Sequence, residues 1–336
     1  MGKPEPTQHP EDDVELLRSK LSEWFARNGK DYPWRQTQDP WAILVSEIML
    51  QQTTVSSVIS NRRFERFLEE FPDLESIAKA AEPTILKAWE GLGYYNRVRN
   101  LQKTAQQILR AYGGQFPVDA QSLEALPGVG RYTAGAVSSF AFNQPSPIVD
   151  SNIARVISRL FDSHRPIDSS IGQKFLWQKA TMLLDKHAPR LFNSAIMELG
   201  QTLCSPQTPH CHHCPIRSFC QSKKPELLPI KKPRKKTISI EEHAFFHQIG
   251  QKVLLAQGTD TRRKGFWHFP LRKESDYAHL NPIKVLRYSI THYRVTLYLY
   301  HQKPASLQEG EVYHPIDQLS RLPIASPIRK LLEQML

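Results

Sequence analysis

The sequence predicts a multidomain protein, with an all-α domain over residues 1–222, a basic linker over 223–237 and a smaller α+β domain over 238–336. Three observations carry this. Apolar residues recur at helical spacing through the first two thirds of the chain, beginning with Val14, Leu17, Leu21, Trp24 and Phe25. From Arg294 to Tyr300 the pattern becomes strict alternation, with Val295, Leu297 and Leu299 on one face and Thr296, Tyr298 and Tyr300 on the other. Between them lies a lysine-rich run, Lys223 to Lys236, broken by Pro225, Pro229 and Pro233, which is the composition of a semi-extended connector.

A length of 336 residues suffices for two buried cores. No apolar run reaches membrane length, and the acidic, proline-containing start is unlike a signal or transit peptide, so a soluble intracellular protein with no membrane partner is expected. The net charge is +11, and more than half of the excess sits in residues 223–237. That local run supports a nucleic-acid partner better than the overall balance does. A connector that follows DNA, a merely solvated one and a nuclear-import signal all fit it.

The first helix lies behind Asp12 and Asp13, and after the turn Tyr32-Pro33-Trp34-Arg35 a second starts at Asp39-Pro40. From Trp41 to Leu50 it is apolar nearly all round, with Glu47 in the middle. A carboxylate placed there must be paired or protonated, because an isolated buried charge is too costly. An ion pair with Arg35 is the structural reading, and a carboxyl whose pKa is raised by desolvation is the functional one.

Next comes Leu126-Pro127-Gly128-Val129-Gly130-Arg131-Tyr132, a glycine turn between two helices. Gly128 and Gly130 let the backbone approach a ligand oxygen closely, and the unpaired N–H groups of the following helix favour an anion such as a DNA phosphate. Asp150, in Ile148-Val149-Asp150-Ser151-Asn152, caps a helix patterned by Ile153, Val156, Ile157 and Leu160, and is expected to stay ionised. Two carboxyls pushed in opposite directions make an acid and an anion. The cysteines Cys204, Cys211, Cys214 and Cys220 read as a metal site, for which zinc and an iron–sulfur cluster are rivals. Beyond the linker, Phe245, Val253, Leu254 and Leu255 around Gly250 suggest a hairpin, and Ile328 to Leu336 a terminal helix.

The glycine turn followed by Asp150 resembles the helix-hairpin-helix, here about 121–142, of DNA glycosylases related to endonuclease III. Trp34-Arg35, Ser46-Glu47-Ile48-Met49-Leu50-Gln51-Gln52-Thr53 and Trp89-Glu90-Gly91-Leu92-Gly93-Tyr94-Tyr95 narrow the resemblance to the adenine DNA glycosylases of the MutY family, over about Trp34 to Cys220. It implies a base-excision repair enzyme for adenine mispaired with 8-oxoguanine or guanine, with Glu47 as general acid, Asp150 stabilising the sugar cation, and Tyr132 and Asn152 orienting sugar and water. It places Arg35, Leu50, Gln52, Thr53, Tyr94, Gly128 and Gly130 against DNA, and makes 204–220 a [4Fe-4S] loop with the four cysteines as ligands. The last domain resembles the family's Nudix-like lesion-recognition domain without its pyrophosphatase signature, and Thr291 and His292 of Ile290-Thr291-His292 match a Phe-Ser-His loop that senses 8-oxoguanine.

Bifunctional relatives carry a lysine where this chain has Tyr132, so base excision without efficient strand cleavage is expected. Departures from the family are Ser151 in place of a glycine, Ser194 in place of glutamine or glutamate, and the lack of arginine or lysine between Cys204 and Cys211. The rivals are an endonuclease III-like glycosylase and lyase for oxidised pyrimidines, and a DNA lesion-binding protein without catalysis. The expected partner is double-stranded DNA bearing the mispair, bound by a monomer. The compartment would be the cytoplasm, at the nucleoid, in a bacterium, and the nucleus or an organelle in a eukaryote.

Overall fold

In a computed structural model of the chain, the described residues are 10–233, 237–260, 262–277, 279–290 and 292–336. Thr291 and linker positions 234–236 lie outside them. The chain opens with α1 (Pro10–Asn28) and a 3-10 turn (Pro33–Arg35), followed by α2 (Pro40–Leu50), α3 (Val55–Ile59), α4 (Arg63–Glu70), α5 (Leu74–Lys79) and α6 (Glu82–Ala88). Then come α7 (Asn96–Tyr112), α8 (Ala120–Glu124), α9 (Arg131–Phe142), α10 (Ser151–Leu160), α11 (Ser170–Leu183) and α12 (Pro189–Thr202).

Local chemistry explains the starts. Asp39 accepts the N–H groups of Trp41 at 3.1 Å and Ala42 at 3.2 Å, and Pro40 occupies the first helical position, where its missing N–H costs nothing. α1, α10, α11 and α12 share one core, in which Leu17, Leu21, Ile157, Leu176 and Leu199 are all buried. Between α8 and α9 the Val129 N–H donates to Leu126 O at 3.2 Å, and the Thr104 hydroxyl donates to Pro127 O at 2.6 Å. Gly128 is needed there twice over. Its φ is +74°, and a Cβ would lie 2.5 Å from Asn100 Cβ. Gly130 caps α9 at φ −91° with open space where a Cβ would go.

The C-terminal part holds β1 (Ile238–Phe246), β2 (Gln248–Ile249), β3 (Lys252–Gln257), β4 (Trp267–His268), β5 (Leu271–Arg272), β6 (Lys284–Ile290), β7 (Tyr293–His301), β8 (Glu311–Pro315) and α13 (Ser326–Met335). One sheet runs β5-β1-β7-β6, with β1 and β7 parallel from Ile238 opposite Tyr293 to Phe246 opposite His301. The other runs β2-β3-β4, with β8 antiparallel to β3. The hairpin therefore differs from the one expected. Gly250 turns between β2 and β3, whereas Phe245 belongs to β1 and stands opposite Tyr300. Tyr300, on the face opposite Val295, Leu297 and Leu299, is buried as well, its ring stacked on Tyr277 at 4.3 Å.

The described residues fall into two compact units, those within 1–78 with those within 100–233, and those within 79–99 with those within 234–336. Lys79–Arg99 thus groups with C-terminal residues although it lies inside the helical stretch. No helix among the described residues is long and apolar enough to cross a membrane.

Gly128→Ala should lower the unfolding free energy by about 1–3 kcal/mol, and Gly130→Ala by under about 1 kcal/mol. Urea denaturation of the two variants checks this, and equal losses would contradict the tight approach at Gly128.

Candidate active site

Every residue of α2 from Trp41 to Met49 is buried, so Glu47, 4% exposed, has no route to water along its own helix. Burial pushes its pKa up to about 7. The Tyr132 hydrogen bond opposes that rise, the charge of Asp150 adds to it, and the Arg35 guanidinium opposes it more weakly. Tyr132, in the first turn of α9, donates its hydroxyl to Glu47 Oε2 at 2.7 Å. Burial, and then the charges of Glu47 and Asp150, hold the phenol well above its ordinary range, so it remains a donor.

Asp150 sits at the head of α10. Its Oδ1 accepts the Ile153 N–H at 2.7 Å and its Oδ2 accepts the Asn152 side-chain amide at 2.8 Å. Arg155 donates to Asn152 Oδ1 at 2.9 Å and to the carbonyls of Gly200 and Cys204, each at 2.7 Å. The expected split of the two carboxyls in opposite directions is corrected here. Burial raises Asp150 too, and the bonds from Ile153 and Asn152 and the charge of Arg155 only counter it. The surroundings bury this cap more deeply than a capping motif alone implies. Ser151 starts α10 without a positive φ, so serine takes the backbone there without strain.

Arg35 does not form the ion pair with Glu47 that the sequence left open. Its Nη1 lies 2.8 Å from Oε2 of Glu198, whose side chain is 0% exposed, off the line of a hydrogen bond. The same nitrogen donates to Lys30 O at 2.7 Å, and the guanidinium lies over the rings of Tyr32 and Phe25. Arg35, Glu47, Leu50 and Ser194 line one cavity, and Gln51, Gly130, Arg131, Tyr132 and Lys174 line a second, open cleft. The hydrogen bond from Tyr132 to Glu47 links the two spaces.

Beside this site, Gln52 is exposed with φ +55°, and the Thr53 hydroxyl donates to Gln51 O at 3.4 Å. In the other unit Tyr94 is 45% exposed with φ +47°, while the Tyr95 ring turns inward, 4.1 Å from that of Phe266. His292 is exposed, and its carbonyl accepts the Ile238 N–H at 3.0 Å.

The four cysteines are half-buried and carry no disulfide. Burial pushes Cys214 up to about 12, and the other three sulfurs add to that rise, so all four share one neighbourhood. No three His, Cys, Asp or Glu groups among the described residues are gathered as a single-ion site requires. Arg159, 1% exposed, donates to Cys204 Sγ at 3.2 Å and to the Ser205 and Pro206 carbonyls at 2.7 and 2.8 Å. The sequence reading missed Arg155, Arg159 and Glu198. The available signal was a charge on an apolar helical face, the arginines among Val156, Ile157 and Leu160, and Glu198 among Ala195, Ile196 and Leu199.

Residues 45–180 match the HhH-GPD superfamily of base excision DNA repair proteins. Over 237 residues the chain is 34% identical to an adenine DNA glycosylase of Buchnera aphidicola subsp. Schizaphis graminum (strain Sg), a match spanning 69% of this chain and 67% of that protein. The chain belongs to the adenine DNA glycosylase family. Within the family, the mouse protein named adenine DNA glycosylase is 41% identical over 219 residues, which is 62% of this chain and 42% of the mouse protein. The chain thus spans about two fifths of that relative's length. Among solved structures a thermostable thymine-DNA glycosylase superposes with a TM-score of 0.57 at 31% identity, over 63% of this chain and 96% of that one.

The raised pKa of Glu47 has a signed consequence for stability. The folded chain holds this proton up to about 7, against 4.5 for an unperturbed carboxyl, so stability is full below 4.5 and falls as pH rises through that window. The loss is about 3 kcal/mol by the linkage relation. Glu47→Gln should remove it and gain on the wild type at pH 8 but not at pH 4, as urea unfolding at both values would record. Parallel pH dependences would contradict the buried, protonated carboxyl.

Proposed function

We propose that the chain is a monofunctional DNA glycosylase that removes adenine mispaired with 8-oxoguanine or guanine by hydrolysing the N-glycosidic bond. What supports this most is Glu47, buried, hydrogen-bonded to Tyr132, raised to about 7 and within the field of Asp150. Adenine leaves a sugar poorly as an anion. A proton passed from Glu47 to N7 makes it a neutral leaving group, and the positive charge that then builds on the sugar is met by Asp150. The logic is that of a glycosidase with two carboxyls. Tyr132 and Asn152 would orient the sugar and the attacking water. With Tyr132 where a lyase has lysine, no amine stands at that position to form a Schiff base, so excision without efficient strand cleavage is expected.

An adenine in the stack cannot reach such a site, so it must be flipped out, and a mispaired base yields most readily. Gln52 and Tyr94 suit this step. Both are exposed in a left-handed conformation, a strain kept chiefly at functional positions, and Leu50 and Thr53 flank the first of them. The N–H groups from Gly128 into the first turn of α9 would hold a phosphate, and Arg35 would stand beside the pocket.

For the cysteines we infer a [4Fe-4S] cluster. Four thiols that feel one another, with the buried Arg159 donating to Cys204 Sγ, supply an all-cysteine ligand set, and the family resemblance favours the cluster over zinc. When bound, it would stiffen the loop and supply no bond-breaking chemistry. Residues 238–336 would form the Nudix-like domain that reads 8-oxoguanine through Thr291 and His292, joined through 223–237 to the glycosylase domain of 1–222. The working form would be a monomer on duplex DNA.

Glu47→Gln should bind the duplex as the wild type does while losing about 10²–10⁴-fold in single-turnover excision. Duplexes carrying A opposite 8-oxoguanine, A opposite G, T opposite G and thymine glycol are the substrates to compare. Retained excision by the variant, or a preference for the pyrimidine lesions, overturns the proposal. Anaerobically purified protein should contain iron and acid-labile sulfide in equal amounts, and zinc without sulfide would refute the cluster.

A further inference from the structure

The segment Lys79–Arg99, which carries Tyr94, is built into the same compact unit as the C-terminal residues. Glu90 and Arg329 of α13 form a two-pronged ion pair, Nε to Oε1 and Nη2 to Oε2, the second at 3.1 Å, with side chains only 15% and 18% exposed. Arg329 is itself fixed by donating to Leu322 O at 2.8 Å. Arg99 donates to the Lys264 carbonyl, and the Tyr95 ring packs on Phe266. Inside the segment, Arg97 donates to the Leu92 and Gly93 carbonyls at 2.9 and 3.1 Å, and its guanidinium lies over the rings of Trp89 and Tyr94.

At its other end the path is equally continuous. Ile328, Leu331 and Leu332 of α13 share a core with Leu297 and Leu299 of β7, against which Leu286 and Tyr288 of β6 also pack. β6 and β7 pair antiparallel as far as Ile290 opposite Tyr293, beside the exposed His292.

We propose that Glu90 and Arg329 are positioning residues, through which the C-terminal unit sets how the Tyr94 loop is presented to DNA. Building on the glycosylase function proposed above, what His292 beside β7 meets in the duplex then governs how readily the adenine is extruded. A bidentate pair suits the task because it fixes orientation as well as distance.

Hydrogen exchange on the full chain and single-turnover excision test this together. Arg329→Met, Glu90→Gln and the double variant should each speed exchange at residues 91–97 by about tenfold, while α2 and α9 keep their wild-type rates. The double variant should be no faster than the faster single, and Arg329→Lys should recover part of the protection. The same variants should shrink the excision ratio of A opposite 8-oxoguanine over A opposite G by about tenfold. Unchanged exchange at 91–97, effects that multiply in the double variant, or a preserved excision ratio overturns the proposal. If exchange responds but the wild type removes adenine from neither duplex, the clamp stands and the glycosylase function fails.

Discussion

A carboxyl almost wholly withdrawn from water is the constraint on which the rest of the site depends. Glu47 is surrounded by apolar neighbours on its own helix, so its charge has to be matched or given up. The natural cation, Arg35, is occupied by Glu198, and what meets Glu47 directly is a neutral phenol. A neutral donor steadies the carboxylate without abolishing the advantage of the acid form. The outcome is a group poised near neutral pH, a condition for giving up a proton at working pH.

Asp150 feels the same burial in different company. A backbone N–H, the Asn152 amide and the charge of Arg155 all favour its ionised form, and Arg155 reaches on to the carbonyls of Gly200 and Cys204. One helix cap therefore belongs to a longer chain of hydrogen bonds that ends in the cysteine loop. Helix starts and glycine turns place both carboxyls, which is why small local motifs decide so much of this site.

Those local motifs are the part legible in the sequence. The cap at Asp39, the buried position of Glu47, the turn through Gly128 and the cap at Asp150 each follow from a few adjacent residues. Partners brought from far along the chain were not legible. Nothing near Arg35 announces Glu198, and the glycine at 250 drew Phe245 into a hairpin although its real partner is Tyr300 in a parallel strand. The rise at Asp150 comes from the surrounding fold, which no capping motif encodes. Lys79–Arg99 reads as one more stretch of helices, and only the tertiary contacts of Glu90, Tyr95 and Arg99 assign it to the other unit.

The most direct test of the acid role of Glu47 is the pH dependence of single-turnover adenine excision by the wild-type chain. The expected profile declines through about 7 as Glu47 loses its proton and falls again in acid as Asp150 takes one up, with the alkaline decline moved to higher pH in Tyr132→Phe, where the stabilising hydroxyl is gone. A rate that is flat, or that rises, as pH passes upward through about 7 would contradict a protonated Glu47 as the source of the leaving-group proton.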